Sequence, residues 1–258
     1  MVIDCFLFNR EFDLLELRLK ELENVVDHFL LVEADVTFSG KEKPMWWYAD
    51  GWRATANNRY NHPKLTSVQV IDPPKTSNPW DRETYQRNSI LRGLHTFPDD
   101  TIILLSDADE IPCANSVPSV ISQRGTVYVY EQELYYYTMN QRAREKWRGT
   151  RACRLDDLRN WTPQVVRFSG GIPVHMGGWH FSYMGGVDSI QRKIADFSHQ
   201  EYNKGQYTSS VAIKQRVDGN RDLFDREIIN LITVPGLSHL PRYVQDNPDR
   251  FAVMLNEG

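Results

Sequence analysis

The sequence predicts an α/β fold: a parallel sheet covered by helices, extended in its C-terminal half by antiparallel strands. Three observations carry this. Short apolar runs alternate with helical patterns over the first 110 residues, the signature of strand–crossover–strand units. The fourth run empties into a cluster of acids at residues 107–110, and in open parallel sheets ligands bind outside the carboxyl ends of the strands. Beyond residue 125 the pattern changes to alternating, tyrosine-rich segments.

The elements follow in order. Residues 2–8, apolar with β-branched and aromatic side chains, predict a strand, and residues 11–24 a helix with Phe12, Leu15, Leu19 and Leu22 on one face. Residues 29–33 and 65–71 predict the second and third strands, 81–95 a helix, and 101–106 the fourth strand. A helix is expected over 115–123, and strands over 125–131 and 164–169 with Tyr135, Tyr136 and Tyr137 between them. Residues 187–199 carry Ile190, Ile194 and Phe197 at helical spacing, and 209–215 and 247–255 read as short helices and loops closing the domain. With no internal repeat and no low-complexity linker, 258 residues make one domain spanning 1–258.

A net charge of −4 gives no global attraction to nucleic acid or an anionic membrane, so the expected partner is a small molecule or a glycan. Cys5, Cys113 and Cys153 show no C-x-x-C spacing and read as ordinary thiols in a reducing compartment. The sequence contains no run of about 18 apolar residues and no leader-like start, so no membrane span is expected and a cytoplasmic location is. G-x-S-x-G, H-E-x-x-H and Walker-type runs are absent, which removes several common hydrolases and nucleotidases.

The richest chemistry lies in Asp107-Ala-Asp109-Glu110. Carboxylates cluster at a strand end at high electrostatic cost unless a cation joins them, so a hard divalent metal is the expected resident. In extended chain, side chains two apart share a face, which lets Asp107 and Asp109 reach one ion. An EF-hand is excluded because Ile111 and Pro112 follow Glu110. Two readings stay open, a metal-dependent phosphohydrolase with an Asp-x-Asp pair and the Asp-x-Asp of a nucleotide-sugar transferase; the position after four strands fits the second better.

Gly177-Gly-Trp179-His180-Phe-Ser-Tyr183 is the second constellation. Its glycines permit close backbone approach, Trp179 offers a flat face to a ligand, and His180 is a candidate metal ligand or proton carrier that suits Mn²⁺ better than Ca²⁺. His175 is a weaker candidate. Glu33 ends the second strand beside the acids, and Arg87 and Asn88 lie on the helix leading to them as nucleotide or phosphate contacts. The stretch 141–159 holds seven basic and three acidic residues and reads as an arm able to neutralise a diphosphate. Trp46, Trp47, Tyr48 and Trp52 suit sugar stacking, with core packing as the alternative. His199-Gln-Glu201 offers a base or a local salt bridge, and exposed tryptophans also allow a non-catalytic carbohydrate-binding protein.

Six segments in order resemble glycosyltransferase family 17, the family of the transferase that adds bisecting N-acetylglucosamine. They are Asp4-Cys-Phe-Leu-Phe-Asn9; Leu14-Leu-Glu-Leu-Arg18; Leu31-Val-Glu33 with Thr37-Phe-Ser-Gly40; Asp107-Ala-Asp-Glu-Ile-Pro112; Tyr136-Tyr-Thr138; and Gly178-Trp-His180. The resemblance implies a GT-A type fold with a Rossmann-like central sheet and helices on both faces. It divides the chain into a nucleotide-binding half, 1–112, and an acceptor-binding half, 113–258. It also implies a UDP-sugar donor, a divalent metal (Mn²⁺ or Mg²⁺), a glycan or glycoside acceptor, and inversion at the anomeric carbon. On that basis Asp107, Asp109 and His180 are the expected metal ligands, Glu33, Arg87, Asn88, Asp107 and Trp179 the donor contacts, and Asp109, Glu110, His180 and Glu201 the catalytic group. The base is open among Glu110, Glu201, Asp188 and Glu133.

Overall fold

The computed structural model describes residues 1–49, 60 and 62–255. One continuous sheet organises them, in the order Leu65–Val70 (β3), His28–Ala34 (β2), Val2–Leu7 (β1), Ile102–Asp107 (β4), Gln141–Arg154 (β7), Tyr128–Tyr136 (β6), Gly178–Ser182 (β9) and Glu110–Pro112 (β5), with Ile172–Val174 (β8) added on β6 and Leu231–Thr233 (β10) on β7. Its first four strands are β1 (Val2–Leu7), β2 (His28–Ala34), β3 (Leu65–Val70) and β4 (Ile102–Asp107), and all pair in parallel. These are the four strands expected from the sequence. The register sets Leu7 beside Val32 on one side and Asp107 on the other, so the loop after β1 opens next to the acids.

Alternation along β1 explains the two-sided core. Ile3, Cys5 and Leu7 pack with Ile90, Leu94, Leu155 and Leu158 on one face, while Phe6 packs on the other with Leu15, Leu19 and Leu22 of α1 (Phe12–Leu22). Helices therefore cover both faces. The helix α1 is buried more completely than its one expected stripe: Leu14 and Leu17 meet Val244 and Phe251 of the C-terminal segment, giving it a second apolar face.

The switch to antiparallel pairing occurs at β4, which meets β7 (Gln141–Arg154), itself hairpinned to β6 (Tyr128–Tyr136). Stretch 141–159 is thus mainly the longest strand of the sheet, and Lys146 and Arg148 pair with Glu133 and Glu131 across the hairpin. The short strand β5 (Glu110–Pro112) runs antiparallel to β9 (Gly178–Ser182), and Glu110 lies directly opposite His180. Gly178 makes that pairing possible: its φ is +122°, and a Cβ there would collide with the backbone of Ile111 and Cys113.

Two expectations fail locally. Residues 164–169 lie mostly in a helix, Pro163–Phe168, because Thr162 caps it and Pro163 occupies the first turn, a start signal that overrides the β-branched Val165-Val166 pair. Residues 115–123 form only a 3₁₀ turn, Ala114–Ser119, with Pro118 inside it. The remaining helices are α2 (Pro79–Asn88), capped by Asn78, then α3 (Leu155–Trp161), α4 (Pro163–Phe168), α5 (Gly186–Asp196), α6 (Gly205–Thr208), α7 (Ser210–Asp218) and α8 (Arg242–Asp246).

Asp4 points from β1 into the face that α1 covers, and it is fully buried. Arg18 of α1 answers it with two hydrogen bonds of 2.6 Å, from Nε to Oδ2 and from Nη2 to Oδ1. Its Nη1 also donates to the carbonyls of Glu110 at 2.8 Å and Asp107 at 3.2 Å. Replacing Arg18 by Met strands a buried carboxylate, and the expected loss is about 3–5 kcal/mol in urea unfolding. Arg18→Lys restores little of it, since an ammonium cannot reproduce the fork.

Candidate active site

A cleft of about 590 Å³ opens along the carboxyl edge of the parallel strands, between the loop after β1, the acids at 107–110, α2, β9 and α5. The turn that presents the acids is not extended. The strand β4 ends at Asp107, and Ala108 and Asp109 form a turn before β5 begins. The rule that residues two apart share a face therefore does not govern Asp107 and Asp109, and the two carboxylates meet different cations.

Asp107 sits between two arginines, with Oδ1 accepting from Arg87 Nη1 at 2.8 Å and Oδ2 from Arg167 Nη2 at 2.9 Å. Burial alone raises this carboxyl, but the guanidinium groups of Arg167 and Arg87 prevail and hold it at about 2. Asp109 Oδ2 accepts from Lys193 Nζ of α5 at 2.5 Å and lies 3.4 Å from His180 Nε2. Against the pull of burial, Lys193 and His180 keep Asp109 well below the usual carboxylate range. Among the described residues its Oδ1 has no hydrogen-bond partner.

Glu110 is the inner node. Its Oε1 accepts from Trp147 Nε1 and Arg167 Nη2, both at 2.6 Å, and its Oε2 from Arg167 Nη1 at 2.7 Å and the Asp107 amide at 3.1 Å. Both oxygens are committed. The Trp147 ring also lies 4.8 Å from the His180 ring. The acid run and the Trp179-His180 segment, 70 residues apart, are thus cross-strand neighbours in one site.

Other expected residues stand further off. Glu33 is fully buried and accepts from the Trp46 amide at 2.6 Å, the Trp47 amide at 2.9 Å and Lys43 Nζ at 3.2 Å, so it anchors the tryptophan segment. Trp46 reaches the cleft wall, with the Arg10 guanidinium 4.2 Å over its ring; Trp47 packs against the core, and Trp52 lies outside the described residues. Asn88 accepts from the Gln164 amide at 3.0 Å and steadies α4. Trp179 donates from Nε1 to the His239 carbonyl at 2.9 Å, away from the cleft lining. His199 lines the cleft but pairs with Glu201 at 2.6 Å, and Glu201 lies outside the lining, as do Asp188 and Glu133. His175 is an exposed partner of Glu131.

Three residues of the site went unread in the sequence: Arg167, Lys193 and Glu11. Arg167 was hidden by the strand reading of its segment. Lys193 sits one turn before the end of a helix whose apolar face alone drew notice, and Glu11 just precedes α1. Glu11 Oε2 accepts from the Asn9 amide at 2.7 Å, and burial pushes its carboxyl up to about 7.

The donor set fits a divalent ion in one particular way. Among the described residues no three of His, Cys, Asp and Glu are grouped to hold a metal. What is present is a carboxylate with one free oxygen, Asp109 Oδ1, beside an imidazole, with Asp107 committed to arginines. Such a pair serves an ion whose other positions are filled by substrate oxygens and water, the usual habit of ions that carry phosphates.

Comparison with known proteins places the chain in a family of glycosyltransferases. It belongs to glycosyltransferase family 17, whose model matches residues 1–258. It is 25% identical over 299 residues to the human beta-1,4-mannosyl-glycoprotein 4-beta-N-acetylglucosaminyltransferase, covering 99% of this chain and 55% of that protein. The rat enzyme of the same name is 24% identical, with 98% and 54% covered. The chain thus spans about half the length of the curated relatives it matches. A crystal structure of an active-site mutant of LgtC shares 13% identity at a TM-score of 0.36, over 64% of this chain and 61% of that one.

Glu11 generates a pH prediction with a definite sign. Its folded carboxyl, at about 7, lies above the ordinary glutamate value of 4.5, so ionising it costs the folded state stability. That cost is absent below about pH 4.5, grows as pH rises through the interval, and is complete above about pH 7. Glu11→Gln, which keeps an acceptor for the Asn9 amide, is expected to match wild type in thermal unfolding at pH 4. At pH 8 it should be more stable by on the order of 1 kcal/mol, a figure discounted for partial exposure.

Proposed function

We propose that the chain is a metal-assisted, inverting transferase that moves a sugar, with N-acetylglucosamine the first candidate, from a UDP-sugar to a hydroxyl of a glycan or glycoside. The observation that supports it most is the placement of Asp109, His180 and Lys193 around one corner of the cleft, in a chain matched along its whole length by a sugar-transferase family. Relatives named as N-acetylglucosaminyltransferases support the sugar. The nucleotide half would be 1–112 and the acceptor half 113–258, with the cleft between the loop after β1 and α5 taking contributions from both.

Each side chain has a part in that reading. Asp109 and His180 would hold the divalent ion, Mn²⁺ in preference to Ca²⁺ because an imidazole is among the donors. When bound, such an ion neutralises charge growing on the departing diphosphate. Arg87 and Arg167 fix Asp107, and Arg167 with Trp147 fixes Glu110, so the acid turn is rigid before substrate arrives. The acceptor hydroxyl must lose a proton to a carboxyl not already held by a cation. Among the described residues lining the cleft, Glu11, Glu42 and Asp196 have no ion-pair partner within salt-bridge distance. The Asp-x-Asp phosphohydrolase reading asks for a free nucleophilic carboxylate, and Asp107 is clamped on both oxygens.

Among the described residues no helix is long and apolar enough to cross a membrane. A cytoplasmic location belongs to the same proposal and is supported by Cys5, Cys113 and Cys153 all being free thiols.

The test is release of UDP from a panel of UDP-sugars with Mn²⁺ and a broad set of acceptors. Wild-type protein is expected to turn over UDP-N-acetylglucosamine, and Asp109→Ala to lose activity by a factor on the order of 10² or more. An Asp109→Ala protein of full activity, or wild type inert to every donor, would overturn the reading.

A further inference from the structure

Lys193 occupies an unusual position for a lysine in a site that is to receive a divalent cation. Its ammonium lies 2.5 Å from Asp109 Oδ2, the carboxylate best placed to bind the ion, and 5.1 Å over the Tyr183 ring. The helix that carries it is pinned to the opposite wall of the cleft. The Ser39 amide donates to the Asp196 carbonyl at 3.1 Å, Lys41 Nζ to the Ala195 carbonyl at 3.1 Å, and Asn9 Nδ2 to Asp196 Oδ2 at 3.5 Å. The backbone of α5 is therefore fixed, and any movement of the charge belongs to the side chain.

Charge balance points to which cation can move. Asp107, Asp109 and Glu110 each already hold a cation: Arg87 and Arg167 sit on Asp107, Arg167 also on Glu110 and Lys193 on Asp109, while Arg87 is shared with Glu83. The side chains of Arg87 and Arg167 are 1% and 8% exposed and held by several fixed hydrogen bonds, whereas Lys193 is 34% exposed and hydrogen-bonded only to Asp109 among the described residues. A guanidinium leaving its pocket would strand buried carboxylates; a lysine on a flexible four-carbon stem can swing into solvent or onto a new anion. The ion and the ammonium cannot both sit against Asp109 without strong repulsion. Binding of one has to displace the other.

We propose that Lys193 is a built-in counter-ion that guards Asp109 in the empty cleft and transfers to a diphosphate oxygen when the metal–nucleotide pair enters. The proposal rests on the transferase reading above for the identity of the diphosphate. Lys193 then has two opposite effects. It weakens binding of free divalent ion, because the ion must evict a cation, and it strengthens binding of the nucleotide, because the evicted ammonium gains a phosphate. Metal and nucleotide are thereby made to bind together.

The experiment uses the whole chain with Lys193→Met, Lys193→Gln and Lys193→Arg, checked for wild-type thermal unfolding. Binding of Mn²⁺ alone is followed by the electron paramagnetic resonance of the free ion, and binding of UDP at saturating Mn²⁺ by calorimetry. In the two neutral variants Mn²⁺ alone is expected to bind about tenfold tighter and UDP about tenfold weaker, each the equivalent of roughly 1.4 kcal/mol. Lys193→Arg should keep the weak Mn²⁺ binding of wild type. Neutral variants that bind Mn²⁺ no tighter overturn the guarding role, and unchanged UDP affinity overturns the transfer to phosphate. Wild-type protein that binds neither Mn²⁺ nor UDP overturns the transferase reading and this inference with it, an outcome distinct from a wild type that binds both while its variants do the same.

Discussion

The buried pair between Asp4 and Arg18 is the interaction on which the rest of the site is built. A carboxylate and a guanidinium with no exposed side-chain surface carry a large desolvation penalty, and such pairs seldom add net stability. What this one adds is position. Because Arg18 also donates to Ser106 Oγ and to the carbonyls of Asp107 and Glu110, it ties the second strand-forming half of the parallel sheet to the first helix at the point where the acids leave the sheet. The guanidinium, stacked 4.5 Å from the Phe6 ring, is a rigid template under the turn. A single flexible cation there would satisfy Asp4 and leave the turn free.

Above that template, the acids differ in how fully their oxygens are committed. Glu110 is 1% exposed and saturated, Asp107 is bracketed by arginines at the cleft edge, and Asp109 keeps one oxygen open. Backbone choice supports the Glu110 contacts. Gly149 lies where β7 passes Glu110 and Trp147, and a Cβ there would collide with both side chains. A strand residue with no side chain thus lets an indole and a carboxylate approach, and the indole in turn faces His180. With both oxygens of Glu110 and of Asp107 occupied, Asp109 is the acid of the three that keeps an oxygen without a partner among the described residues.

Much of this frame was legible in the sequence because it is encoded locally. Four apolar runs with helical segments between them give β1 to β4 and α1, and the acids at the end of the fourth run mark the carboxyl edge. The cations were not legible. Arg87, Arg167 and Lys193 come from three helices spread over more than a hundred residues, and no spacing rule links them. The run of basic residues at 141–159, which does stand out, is spent elsewhere: Arg142, Lys146 and Arg148 on cross-strand pairs of the β6–β7 hairpin, Arg151 on backbone carbonyls, Arg154 on Asp156 and Arg159 on Asp99. Local counting also misplaced Arg167, since Gln164-Val-Val alternates like a strand while the decisive signal, Thr162 before Pro163, is one turn upstream. Glu33 shows the converse error: a carboxylate at a strand end can serve as an acceptor for backbone amides of the next loop.

Backbone strain falls where the site needs it. Arg10 at φ +81° and Tyr183 at φ +59° both line the cleft, and Thr162 at φ +72° is the cap that starts the helix carrying Arg167. Left-handed conformations in such residues are unfavourable and persist only when surrounding contacts over-determine them. Here those contacts can be named. Arg10 is held over Trp46, whose amide is fixed by Glu33, and the Tyr183 ring packs 5.4 Å from Tyr136 and 5.7 Å from Phe224. The raised carboxyl of Glu11 adds a further cost at the same place. A cleft that concentrates strained backbone, a destabilised acid and a displaceable cation is not arranged for greatest stability; its costs are met by the saturated acids and two-sided core beneath it.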